Sequence, residues 1–68
     1  EINMKILTWQ ARKNKNLTLI KLATVTGLSK STLNNIENGK VSPTLDELEA
    51  IAKALNVKIT DLFDSDCK

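Results

Sequence analysis

The chain of 68 residues contains no histidine, no tyrosine and a single cysteine, Cys67. Without histidine there is no imidazole to exchange protons near neutral pH and no Cys/His set for zinc. One cysteine excludes an intramolecular disulfide and fits a reducing compartment. The carboxylates form no pair at a useful catalytic spacing in the basic part of the chain, and its two glycines stand too far apart for a phosphate-cradling loop. The expectation is therefore a protein that is not an enzyme, with no catalytic residues, no cofactor and no metal. No apolar run approaches the roughly 20 residues that cross a membrane, and no charged-then-apolar leader opens the sequence. That predicts a soluble, cytoplasmic protein with no membrane partner. The length allows one small domain and leaves no room for a second core or for the large cleft of most enzymes.

What is present is ordinary for a folded chain, 41% hydrophobic and 26% charged, but the charge is not spread evenly. From Glu1 to Thr44 seven basic residues face two acidic ones, a net of +5; from Leu45 to Lys68 three lysines face six carboxylates, a net of −3. Such polarity suits a molecule whose first two thirds meet a polyanion. The competing reading is that the late carboxylates merely complement the first turns of helices.

Apolar residues recur at a period near 3.6 and rarely alternate, so the fold is predicted as all-α. Helix one is expected over Asn3 to Asn14, capped by Asn3, with Met4, Leu7 and Ala11 on its buried stripe. Trp9 lies off that stripe, either at the edge of the core or as an exposed contact. Thr18 is the N-cap of a short helix with Leu19, Leu22, Ala23 and Thr26 on one face, which Gly27 stops. Ser29 caps the next helix, about Lys30 to Asn38, with Leu33 and Ile36 buried and Gly39 closing it. Thr44 and Glu47 form a capping box ahead of the longest helix, striped by Leu45, Leu48, Ile51, Ala52 and Leu55 and ended by Asn56. Val57 and Ile59 sit in an extended link, Thr60 caps a last turn with Leu62 and Phe63, and residues 64–68 are expected to fray. The domain is residues 1–68, with a core from about 6 to 63.

The two short helices joined through Gly27 form a helix-turn-helix, in which glycine supplies the positive φ of the turn and Ala23 lets the backbones approach. The outward face of the second helix offers Lys30, Ser31, Thr32, Asn34, Asn35 and Asn38, with no carboxylate before Glu37. Serine, threonine and asparagine are weak helix formers, whereas solvated faces normally mix Glu and Lys. Hydroxyls and amides both donate and accept, so they suit base edges and phosphates without repelling a polyanion.

The residues Leu17-Thr18, Leu22-Ala23, Thr26-Gly27-Leu28-Ser29, Ser31-Thr32-Leu33, Ile36-Glu37-Asn38-Gly39, Ser42-Pro43-Thr44, Ile51 to Leu55 and Asp61-Leu62-Phe63 together resemble the Cro/C1-type helix-turn-helix, or XRE, family from about Ile6 to Phe63. The resemblance implies a compact five-helix lambda-repressor-like domain that regulates transcription by binding operator DNA as a dimer. Carried over by position, Lys30, Ser31 and Asn35 fall where the family reads bases, with Thr32 and Asn34 at the margins. Asn38 and Lys40 fall where it holds phosphates, and Thr18 opens the helix whose backbone N–H groups meet another phosphate. Arg12 and Glu37 match a structural ion pair. The implied partners are double-stranded DNA and a second copy of the chain, the dimer forming weakly and mainly on DNA; with no effector domain expected, regulation would come from concentration, from cooperativity on DNA or from a separate regulatory protein. The dimer contacts would come from about Asn56 to Leu62, with Val57 and Ile59 either as apolar anchors or as core residues.

Three departures from the family pattern stand out. Leu19 replaces a frequent phosphate-anchoring glutamine, Ile20 and Val25 occupy frequently polar positions, and Thr8 and Ala11 stand where larger apolar residues are common. Ile20, Val25 and the acidic last third favour a second reading, a protein-interaction module such as an antitoxin or adaptor.

Overall fold

A computed structural model describes residues 4–66 of the chain. In order, the elements are strand β1 (Met4–Ile6), helices α1 (Thr8–Asn14), α2 (Leu19–Thr26), α3 (Lys30–Glu37) and α4 (Leu45–Leu55), a 3-10 turn (Ile59–Asp61) and strand β2 (Phe63–Ser65). Among the described residues the architecture is therefore four α-helices plus a small antiparallel sheet, which corrects the expectation of five helices and of a purely α fold.

The capping signals account for the helix starts. The Thr18, Ser29 and Thr44 hydroxyls accept from the N–H groups of Lys21, Thr32 and Glu47 at 3.0–3.1 Å. Glu47 completes the box by accepting from Thr44 N–H at 2.9 Å. Each such cap contributes about 1 kcal/mol. Helices α1, α3 and α4 end by one device, in which a left-handed residue turns the chain and two backbone N–H groups reach back three and five residues. That residue is Asn16, Gly39 or Asn56, with φ of 58°, 72° and 56°. Asparagine tolerates this region better than other side-chain-bearing residues, so two helix ends need no glycine.

Leu22, Leu33, Ile36, Leu48, Ile51, Ala52, Leu55 and Leu62 are buried. Ala11, Leu17, Leu19, Ala23, Leu28, Ala54, Val57 and Ile59 pack around the core in partial burial. Burying each large aliphatic side chain contributes about 1.5–3 kcal/mol, which is what holds helices this short in place.

Helix one is shorter than expected because its first turn is a strand. β1 pairs with β2 in the register Met4↔Ser65, Lys5↔Asp64 and Ile6↔Phe63. Leu7 N–H donates to Leu62 carbonyl oxygen at 2.8 Å and carries the ladder up to the start of α1. Backbone pairing with a segment nearly sixty residues away outweighs the local helical period that Met4 and Leu7 suggested. Leu7, without a side-chain cap, precedes α1, and the expected cap Asn3 lies outside the described residues. The same pairing corrects the expected fraying: Asp64 and Ser65 belong to β2, and only 67–68 of that tail lie outside the described residues. Thr60 sits within the 3-10 turn and does not cap it; Asp61 accepts from Lys58 N–H at 3.0 Å. Leu45, expected on the buried stripe, is 75% exposed. As the first residue of α4 it stands one turn before Leu48, past the end of the core.

Candidate nucleic-acid interface

The turn between α2 and α3 is three residues long, and its closure relies on a hydroxyl. Gly27, at φ 77°, donates its N–H to Ala23 carbonyl oxygen at 3.0 Å. This shorter closure leaves Leu28 N–H without a backbone partner. Thr26 Oγ1 accepts it at 3.2 Å and donates in turn to Leu22 carbonyl oxygen at 2.7 Å. The role of Thr26 was not read from sequence; the available signal was a threonine directly before the turn glycine.

Two anchors fix the angle of α3. On the inner face Leu33 and Ile36 are buried, Leu33 within the main core cluster. At the far end Arg12 of α1 grips Glu37, Nε to Oε2 at 2.7 Å and Nη2 to Oε1 at 3.1 Å. Its third donor, Nη1, meets Leu17 carbonyl oxygen at 2.8 Å, so one guanidinium ties α1, the loop before α2 and the last turn of α3. The two side chains are 11% and 5% exposed. Glu37 stands where the α3 dipole disfavours a carboxylate, and the paired guanidinium offsets that cost.

Held in this way, α3 turns Lys30, Ser31 and Asn34 fully outward, with Thr32 and Asn35 half-buried along the edges. Ser29 Oγ donates to Thr32 Oγ1 at 2.8 Å, and Asn38 Nδ2 donates to Asn34 Oδ1 at 3.3 Å. Asn35 carbonyl oxygen accepts Lys40 N–H at 2.9 Å, so Asn38, Gly39 and Lys40 form a tight exposed loop against the end of α3. Thr18 is exposed at the start of α2, and its hydroxyl is engaged as the cap. Arg12, Lys13, Asn16, Leu17, Thr18 and Leu19 line one depression there. That adds Lys13 to the basic groups beside the α2 N-terminus, a neighbour that sequence spacing did not bring out because an intervening loop separates the two. Lys13 Nζ also lies 5.8 Å from the Trp9 ring centroid, and Trp9 is 49% exposed on α1. Val57 and Ile59 pack partly buried against the core. Among the described residues no three metal-ligating side chains converge, and no helix is long and apolar enough to cross a membrane.

The helix-turn-helix family model matches residues 10–62. The chain is 41% identical over 49 residues to the immunity repressor protein of Bacillus phage phi105, covering 72% of this chain and 34% of that one. It is 38% identical over 56 residues to the HTH-type transcriptional regulator SlrR of Bacillus subtilis, covering 81% and 37%. It thus spans about a third of the length of these curated relatives. A 49% identical stretch of 51 residues in the methylphosphonate synthase of Nitrosopumilus maritimus covers 75% of this chain and 11% of that enzyme. Among solved structures, the biofilm master regulator SinR in complex with DNA superposes with a TM-score of 0.74 at 33% identity, over 78% of this chain and 86% of that one.

Proposed function

The chain belongs to the Cro/C1-type helix-turn-helix family, and from that premise we propose that it is a sequence-specific double-stranded DNA-binding transcriptional regulator. Helix α3 enters the major groove, where Lys30, Ser31 and Asn35 meet base edges, flanked by Thr32 and Asn34. Lys donates to guanine O6 and N7, and the Asn amide pairs with adenine N6 and N7, so the half-site contains at least one guanine. Asn38 and Lys40 hold phosphates from the loop after α3. At the start of α2 the helix dipole and the N–H groups beyond Thr18 act with Lys13, which supplies charge where Leu19 offers no amide.

The observation that carries this reading is the outward face of α3, free of carboxylates and fixed by the buried inner face and by Arg12 at its C-terminal end. A solvated face has no need of such fixing, whereas base reading requires side chains held in register. SinR, a structural neighbour solved in complex with DNA, supports DNA binding by this fold. The similarity to the methylphosphonate synthase is confined to the helix-turn-helix stretch, a ninth of that protein, and does not extend the enzyme's activity to this chain.

The regulator acts in the cytoplasm as a homodimer on a two-fold-symmetric operator, with half-sites about 34 Å apart. A separate protein is a further regulatory partner, as SinI is found in complex with SinR. Selection of bound duplexes from a random library tests the proposal. A recurrent palindromic site is expected, bound with a steep loss of affinity as salt rises. Enrichment of no motif, or an affinity flat with salt, would turn the assignment toward an interaction module.

A further inference from the structure

A second groove lies between the last turn of α2 and the outer face of α4 and shares no residue with the candidate DNA face. Val25 and Thr26 form one wall; Asp46, Glu49, Ala50 and Lys53 form the other. Val25 is 51% exposed in this groove, and Leu45, one turn before Glu49 on α4 and outside the groove's lining, is 75% exposed. Neither residue is explained by folding. Val25 is β-branched, a poor helix former on a helix surface, and Leu45 contributes no burial at its end of the helix. Glu47 is used in the capping box, and Asp46 in the first turn suits the helix dipole. Glu49 lies beyond that turn, three residues from Asp46, where like charges repel, and four before Lys53, where opposite charges attract. Neither forms an ion pair among the described residues, whose salt bridge is Arg12–Glu37. Lys53 closes one end, so two carboxylates stand against one ammonium along the α4 wall that faces Val25.

We propose that this groove docks a protein partner, through a short amphipathic helix that sets an apolar side chain between Val25 and Ala50 and a Lys or Arg beside Asp46 and Glu49. The sign of the charge selects the occupant. The groove repels the polyanion that α3 attracts, and its apolar floor distinguishes a peptide from a simple cation. Binding here leaves the α3 face free, so partner and DNA are held at once.

The probe is a helical peptide of leucine and lysine, with the leucines on one face, titrated into the isotope-labelled protein. Saturable amide shifts confined to Thr24–Gly27 and Leu45–Lys53 are expected, unchanged when duplex DNA is already bound. V25S/E49Q, altered at two exposed positions, should bind the peptide about tenfold more weakly while keeping its helical circular dichroism and its DNA affinity. Glu49→Lys provides a second variant, for which the peptide shifts should vanish. Shifts that fall on the acidic stretch Asp61–Asp66, an oligolysine that binds as tightly as the amphipathic peptide, or full affinity in either variant would overturn the proposal. Concentration-dependent shifts of the same residues without peptide would assign the groove to a second copy and overturn it too. DNA affinity is read in parallel, so failure of the groove and failure of the DNA reading are separable.

Discussion

Replacing Arg12 by methionine keeps the aliphatic stem and removes all three donors of the clamp, at 2.7, 3.1 and 2.8 Å. The Glu37 carboxylate, 5% exposed, is then left without its counter-charge, and Leu17 carbonyl oxygen loses its donor. Breaking one side of a buried pair costs about 3–5 kcal/mol, because the surviving charge must be desolvated without compensation. A domain of this length has roughly 3–10 kcal/mol of total stability, so the loss takes much or all of it. Each kcal/mol lowers the midpoint of a domain this small by about 4–8 °C, and the expected fall is therefore roughly 12 °C or more. Urea unfolding of the parent, Arg12→Met, Glu37→Leu and the double variant gives the coupling directly. Replacing both partners removes both buried charges, so the double variant should lose only about 1–2 kcal/mol, mostly from the unpaired Leu17 carbonyl. Arg12→Met within about 1 kcal/mol of the parent would refute the reasoning, since that is the value of an exposed pair. A double variant that loses the sum of the two single losses would do so as well.

Thr8 is buried with Oγ1 lacking a hydrogen-bond partner among the described residues, so Thr8→Val should stabilise the domain by about 1 kcal/mol; a fall in the urea midpoint would show that the hydroxyl is in use. A Cβ at Gly27 meets nothing within 4 Å, and the backbone is at φ 77°. Gly27→Ala should therefore cost only the left-handed strain, about 1–2 kcal/mol, and Gly27→Asn less; equal losses in thermal melts would point to a packing role instead. Lys40→Ala should weaken all duplexes alike and reduce the slope of log affinity against log salt by about 1, and a loss limited to one sequence would remove Lys40 from the phosphate contacts.

The parts of this molecule legible in its sequence are those fixed by neighbours within one turn. Thr18, Ser29 and the Thr44–Glu47 box announce helix starts because a hydroxyl and an N–H three residues on meet wherever a helix begins. Leu33 and Ile36 announce the inner face of α3 by their spacing alone. What stayed hidden depends on the chain's return. β1 and β2 have three residues each and little β-propensity in Met4, Lys5, Asp64 or Ser65, so only the closure of the fold brings them together. Leu45 continues the apolar period of α4, yet the core ends at Leu48, a limit set by the other helices. The outward residues of α3 were legible as a type of chemistry, amide and hydroxyl without carboxylate. The Thr26 relay and the nearness of Lys13 to Thr18 follow from loop paths that no spacing encodes.

Asn35 carries the central assignment, because its amide can read a base while carrying no charge to attract phosphate. Titrating parent and Asn35→Ala into the selected duplex and into a duplex of scrambled sequence, at one salt concentration, separates the two roles. A loss of about 1–3 kcal/mol on the selected duplex alone, with relaxed preference at one base pair, is expected if α3 reads the major groove. Equal losses on both duplexes would contradict base reading by α3 and leave only phosphate binding.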